Sequence, residues 1–99
     1  MAEIRWTLQA ADDLEDIAHF IAQDSARYPR QFVADVLDAI EQLAVFPNSG
    51  RIVPEVGDPA IREITLGNYR IVHRVQPEAV EILAVWHSAR LLGSHMLDG

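Results

Sequence analysis

The chain contains no cysteine and no lysine. Without cysteine there are no disulfides, no thiol nucleophile and no thiolate-bound zinc, and the composition points to a reducing cytoplasm. Without lysine, all eight basic residues are arginine, set against fifteen acids for a net charge of −7. Such a chain is a poor nonspecific ligand for nucleic acid, because phosphate contact needs positive potential. No apolar run approaches the roughly 18 residues of a membrane span. Residues 1–7 show no secretory signal pattern. Repeats and low-complexity segments are also missing. What is present is ordinary for a soluble globular domain: 99 residues, 49% hydrophobic and 23% charged. That length supports one modest core without a metal.

The charge is unevenly placed. From Ala10 to Phe46 there are eight acids and two arginines, whereas Pro47 to Arg90 carries five of each. The first half is therefore an acidic surface, and the second is neutral with room for a local arginine-bearing face.

Hydrophobic periodicity orders the elements. Ile4 and Trp6 alternate with polar residues over Glu3–Thr7 and predict a strand. Thr7 is placed to cap the helix that follows. Leu14, Ile17, Ala18 and Ile21 form one stripe of a helix over about Leu8–Asp24. Asp12, Asp13, Glu15 and Asp16 crowd its early turns, where the helix dipole favours negative charge. Phe32, Val36, Ile40 and Leu43 form the stripe of a second helix over about Arg27–Phe46, antiparallel to the first. Pro47 to Pro59 reads as a loop with at most a short extended piece. Three strands follow, over Ile61–Leu66, Tyr69–Val75 and Ala79–Trp86. Gly67-Asn68 fits a two-residue type II′ hairpin. From Leu91 to Gly99 the periodicity is lost, so the domain is expected over residues 1–90 with a C-terminal tail beyond. The order β-α-α-β-β-β predicts an α+β fold, a twisted and mainly antiparallel sheet with the helical hairpin on one face and the other face partly open.

Turn geometry gives a register. Pairing Gln76 with Ala79 sets Val75 against Val80, Arg74 against Glu81, His73 against Ile82, Ile71 against Ala84, Arg70 against Val85 and Tyr69 against Trp86. Tyr69, Ile71, His73, Ala84 and Trp86 then face the helices. Arg70 and His87 converge on the open face, a cation and an imidazole at one end of the sheet. Arg74 reads as a cross-strand partner of Glu81, and His73 as a packed core histidine near Arg62. His19 belongs to a solvated helix face. No His/Asp cluster has metal-ligand spacing, and no glycine-rich phosphate loop or serine nucleophile motif is present. No cofactor or metal is expected.

Five segments together resemble the RelE/ParE toxin superfamily. They are Trp6-Thr7 with Ala10–Ile17, Leu43–Arg51, Ile61-Arg62-Glu63, Tyr69-Arg70-Ile71-Val72 and Ile82–Arg90. The resemblance spans residues 4 to 90. It implies the toxin of a bacterial type II toxin–antitoxin pair, whose partner is a small antitoxin that wraps the toxin and itself binds operator DNA. RelE-like members cut mRNA on the ribosome. By motif, their base, cation and acid fall on Glu55, Arg70 and His87 here. ParE-like members inhibit DNA gyrase and carry no hydrolytic site. The ending Trp86-His87-Ser88-Ala89-Arg90 looks more like the ParE branch, and the acidic charge suits a protein target better than a ribosomal one. On that reading Arg62, Arg70, His87 and Arg90 are contacts to target or antitoxin. A further alternative is a degenerate antitoxin-binding module without toxicity.

Overall fold

The computed structural model describes residues 1–24 and 28–87. Strand β1 (Glu3–Trp6) is followed by helices α1 (Leu8–Ala22) and α2 (Tyr28–Val45), and then by β2 (Arg51–Ile52), β3 (Ile61–Leu66), β4 (Tyr69–Val75) and β5 (Ala79–His87). They form one sheet in the order β1-β5-β4-β3-β2. β1 runs parallel to β5, and the other pairs are antiparallel. The class is α+β, as the periodicity predicts. The expected tail and Arg90 lie outside the described residues. No described helix is long and apolar enough to cross a membrane.

Thr7 joins the first two elements. Its hydroxyl accepts from the Ala10 N–H at 3.1 Å, capping α1, and donates to the Ile82 carbonyl of β5 at 2.8 Å. Because α1 starts at Leu8, its first turn holds no acid. Asp13 has a different use. Beyond Trp6, β5 has no β1 neighbour, and Asp13 Oδ2 accepts the Val85 N–H at 3.1 Å.

The helical hairpin covers one face of the sheet. Ala10 of α1 and Phe32, Val36, Ile40 and Leu43 of α2 bury themselves against Ile71, Val80, Ile82 and Val85. The predicted α2 stripe is buried as a set, while Phe46 is exposed. The opposite face is only partly open, with Glu3 and Arg5 exposed and Arg74 half-buried on it. Val53 and Val56, from the segment after β2, close a second core over Ile61, Val72, Leu83, Ala84 and Trp86.

Ala84 and Trp86 therefore face away from the helices, against expectation. The cause is a register shift in β5. Val75, Arg74 and His73 pair with Val80, Glu81 and Ile82 as the turn predicts. A bulge between Val72 and His73 then leaves Leu83 extra, so Val72 meets Ala84, Ile71 meets Val85, Arg70 meets Trp86 and Tyr69 meets His87. The β3–β4 hairpin has the predicted register, Ile64 opposite Ile71 and Leu66 opposite Tyr69. Gly67 has φ +57°, and among the described residues no non-glycine, Asn68 included, has positive φ, which suits a II′ turn and excludes I′.

Gly50 fixes the approach of β2 to β3. It has φ +84°, and a Cβ there would run into the Glu63 carbonyl. Gly50→Ala is expected to destabilise the protein by about 2–3 kcal/mol. Urea unfolding monitored by circular dichroism measures this, and an unchanged midpoint would contradict the close approach.

Candidate functional site

The outer face of the sheet holds a buried charge cluster. Arg70, near the start of β4, lies on the same face as Val72 and Arg74, with its side chain under the 53–60 loop. Glu63 of β3 is its diagonal neighbour, because Glu63 pairs with Val72 and Thr65 pairs with Arg70. The loop supplies the third member. Val53 accepts the Gly57 N–H at 2.9 Å and the Val56 N–H at 3.1 Å, closing a tight turn around Pro54 and Glu55. Ile61 and Asp58 tie down the loop's ends.

Arg70 is 5% exposed and Glu63 2%. The guanidinium engages Glu55 through both terminal nitrogens, at 3.2 and 2.9 Å, and Glu63 through Nη1 at 3.1 Å. Arg51 approaches the far Glu63 oxygen at 3.6 Å from the solvent side. Hydrogen bonding to Glu55 holds the Arg70 pKa above its ordinary range; burial opposes this, and Glu63 adds to it. The charge on Arg70 is thus permanent and internally matched.

His73, on the helix-facing side of β4, is fully buried. Its Nε2 lies 3.2 Å from the Pro47 carbonyl and in the neutral ring donates to it, tying the end of α2 to the sheet. Burial pushes its pKa down, and the charge on the facing Arg62 adds to that, against the Pro47 bond.

The candidate residues fall into three places. Glu55 and Arg70 come together in the buried cluster. His87 does not join them. It stands opposite Tyr69, and strand alternation turns it to the helix side, edge-on to the Tyr69 ring at 5.5 Å between centroids. There it lines a cleft of about 370 Å³ with Asp13, Asp16, Ile17 and Phe20. Arg62 sits at the rim of β3 opposite His73. The expected convergence of Arg70 and His87 is undone by the Leu83 bulge. Glu63 is the fully buried acid of the cluster, and sequence reasoning passed over it. The signal was available, since the Gly67-Asn68 hairpin alone makes Glu63 and Arg70 diagonal neighbours. Arg74 and Glu81 pair across strands at 3.0 Å, as expected. Among the described residues no group of three His, Asp or Glu side chains is arranged to hold a metal.

The chain as a whole has relatives among known proteins. The profile of the family described as "ParE toxin of type II toxin-antitoxin system, parDE" matches residues 4–92. The chain belongs to the ParE toxin family. Among its relatives is "Putative toxin Y4kP" of Sinorhizobium fredii, 36% identical over 87 residues, covering 86% of each chain. "Toxin RelE2" of Caulobacter vibrioides is 30% identical over 92 residues, covering 92% of this chain and all of the relative. A solved structure, "Chromosomal ParDE TA system from P. aeruginosa", matches with TM-score 0.72 and 26% identity over 88% of this chain and 96% of that one. The protein is thus the toxin component of a type II toxin–antitoxin system.

Two measurements test the cluster and its neighbour. Arg70→Leu leaves Glu63 buried without its guanidinium and is expected to cost about 3–5 kcal/mol. The double variant Arg70→Leu/Glu63→Leu should recover most of this in urea unfolding; a double variant no better than the single would show that the charges are not matched to each other. For His73, the unfolded chain takes up a proton near the ordinary value of 6.5 and the folded protein resists it. Its contribution is complete above that pH and is lost as pH falls through the lower folded-state value. Stability should therefore drop between about pH 7.5 and 5.5, and more shallowly in His73→Gln. Equal slopes would refute the assignment.

Proposed function

We propose that this toxin arrests growth by binding DNA gyrase, in the manner of the ParE branch, and is neutralised by a cognate antitoxin. The observation that carries this reading is the state of Glu55. A general base for ribose chemistry must aim a lone pair at the 2′-hydroxyl. Both Glu55 oxygens instead accept from Arg70, which is itself shared with Glu63. His87, the acid in a RelE-like mechanism, sits across the sheet from them. The acid–base pair that mRNA cleavage requires is therefore not assembled, and a net charge of −7 gives no general attraction to ribosomal RNA.

A protein target needs neither feature. Arg62 at the sheet rim and His87 beside its cleft offer contacts to gyrase or antitoxin, and Arg90 follows in the same role by resemblance. On the opposite face, Arg70 holds the 53–60 loop in shape through Glu55 and Glu63. Operator DNA recognition falls to the antitoxin, since the toxin lacks the positive field for it.

Pulse labelling in the first minutes after induction is the test. Thymidine incorporation is expected to fall before leucine incorporation, with Glu55→Gln and His87→Ala remaining toxic. An early fall in leucine incorporation, abolished by either substitution, would replace this reading with ribosome-dependent mRNA cleavage. Arg70 variants do not discriminate, because they also unfold the cluster. No arrest at all would mark a module that binds antitoxin without toxicity.

A further inference from the structure

Among the described residues, β1 is an edge strand with one unused side. On its used side, the Glu3 and Thr7 N–H groups donate to the Glu78 and Ile82 carbonyls of the β5 segment at 3.0 and 3.1 Å. A parallel ladder engages alternate residues. The N–H and C=O groups of Ile4 and Trp6 therefore point outward, away from β5. No backbone partner for either is found among the described residues. The edge ends at Ala2, whose N–H is taken by the Ala44 carbonyl of α2 at 2.8 Å.

The side chains along this edge carry a pattern. Arg74, Glu81 and Arg5 stand in one row across β4, β5 and β1. The row alternates in sign and ends on a cation at the open edge. Glu3 lies two residues away on the same face and bonds Arg5 at 3.0 Å. Edge strands are commonly blunted by lysine or by like charges that repel a second copy. This chain has no lysine, and its edge presents one charge of each sign.

We infer that β1 is a self-association site, pairing antiparallel with β1 of a second copy about a two-fold axis at Ile4. That register satisfies both Ile4 groups and lets the Trp6 N–H reach the Ala2 carbonyl of the second copy, while the Ala2 N–H stays on Ala44. The two Ile4 residues exchange N–H···O bonds, as their outward groups require. Glu3 of each copy faces Arg5 of the other in the non-hydrogen-bonded position, where side chains come closest. Each charge row then reads Arg74, Glu81, Arg5 and the second copy's Glu3. The same symmetry fits the apolar flank. Val45 lines a hollow with Ala2 and Glu3, and Leu37 lines a groove of about 470 Å³ with Trp6, Leu14 and Val33. Leu37 and Val45 are 48% and 52% exposed. α2 thus runs antiparallel along β1, and two-fold pairing carries Leu37 of each copy toward Val45 of the other. This reciprocity is the signature of an isologous contact. The contact is small, so it belongs to the weak class of interfaces.

Sedimentation equilibrium of the full chain, freed of its antitoxin, tests this from about 10 to about 500 µM. The expected result is a concentration-dependent monomer–dimer equilibrium. Arg5→Glu and Glu3→Arg should each weaken it about tenfold, since each turns two attractions into repulsions. The double variant Glu3→Arg/Arg5→Glu should restore it. Both side chains are more than half exposed, and circular dichroism checks that each variant stays folded. A monomer at every concentration overturns the inference. So does a dimer indifferent to Arg5→Glu, or one that the double swap fails to restore. If the Ile4 amide gains hydrogen-exchange protection from the antitoxin and none from raising the toxin concentration, the edge belongs to the antitoxin and the inference falls.

Discussion

One guanidinium organises the outer half of this molecule. Arg70 reaches a neighbouring strand through Glu63 and a loop through Glu55, and both carboxylates depend on it. Burying either acid alone would cost several kcal/mol. Shared, the three charges become a rivet that fixes the 53–60 loop to the sheet. Val53 and Val56 can then close over Val72, Leu83 and Trp86. Without the loop that apolar surface would face water, and the sheet would have one buried side. The second core is therefore an electrostatic consequence as much as a hydrophobic one. Only arginine fits the role, since its planar fork addresses two carboxylates at once where a lysine ammonium offers a point charge.

Much of this was legible in the sequence, and the failures have physical causes. The two helices follow from their stripes, and β3 and β4 from their turns. The β4–β5 register is readable as far as His73, because Arg74 and Glu81 mark one face and Val75 and Val80 the other. Past that point the run Ile82-Leu83-Ala84-Val85-Trp86 has no polar residue to show phase. Such a run reads equally well in either register when both faces are buried. The bulge hides there, and the placement of His87 goes wrong with it. The outer-face core was missed because a loop rich in proline and glycine gives little sign of burying Val53 and Val56. Asp13 reads as one more helix acid until the fold brings a strand's unpaired N–H to it.

The family resemblance and the physical reading meet at the cluster. A shared scaffold does not decide between a nuclease and a protein-binding inhibitor, since function lives in the site carried by the fold. What bears on the choice is how the same residue types are engaged. Glu55 and Arg70 are bound to one another in a largely buried cluster, and a permanent ion pair is suited to holding a surface in shape. Catalysis would ask each of them to be free at the moment of reaction. His87, in contact with Tyr69 beside an acidic helix, belongs to a separate surface.

The order of the strands has a consequence for timing. β5 is the last made of the described strands, yet it lies between β1 and β4 and holds both. The Thr7 hydroxyl bonds a carbonyl 75 residues further along the chain. Until β5 is translated, β1 has no ladder to join and α1 has no Val85 to cap. At roughly 5–20 residues per second, a nascent chain spends most of its synthesis without the strand that joins β1 to the rest of its sheet. Pairings this distant in sequence are also slow to close. A toxin built this way completes its sheet only after β5 is made, so its strand order sets a delay of the order of seconds between the first residue and the closed sheet.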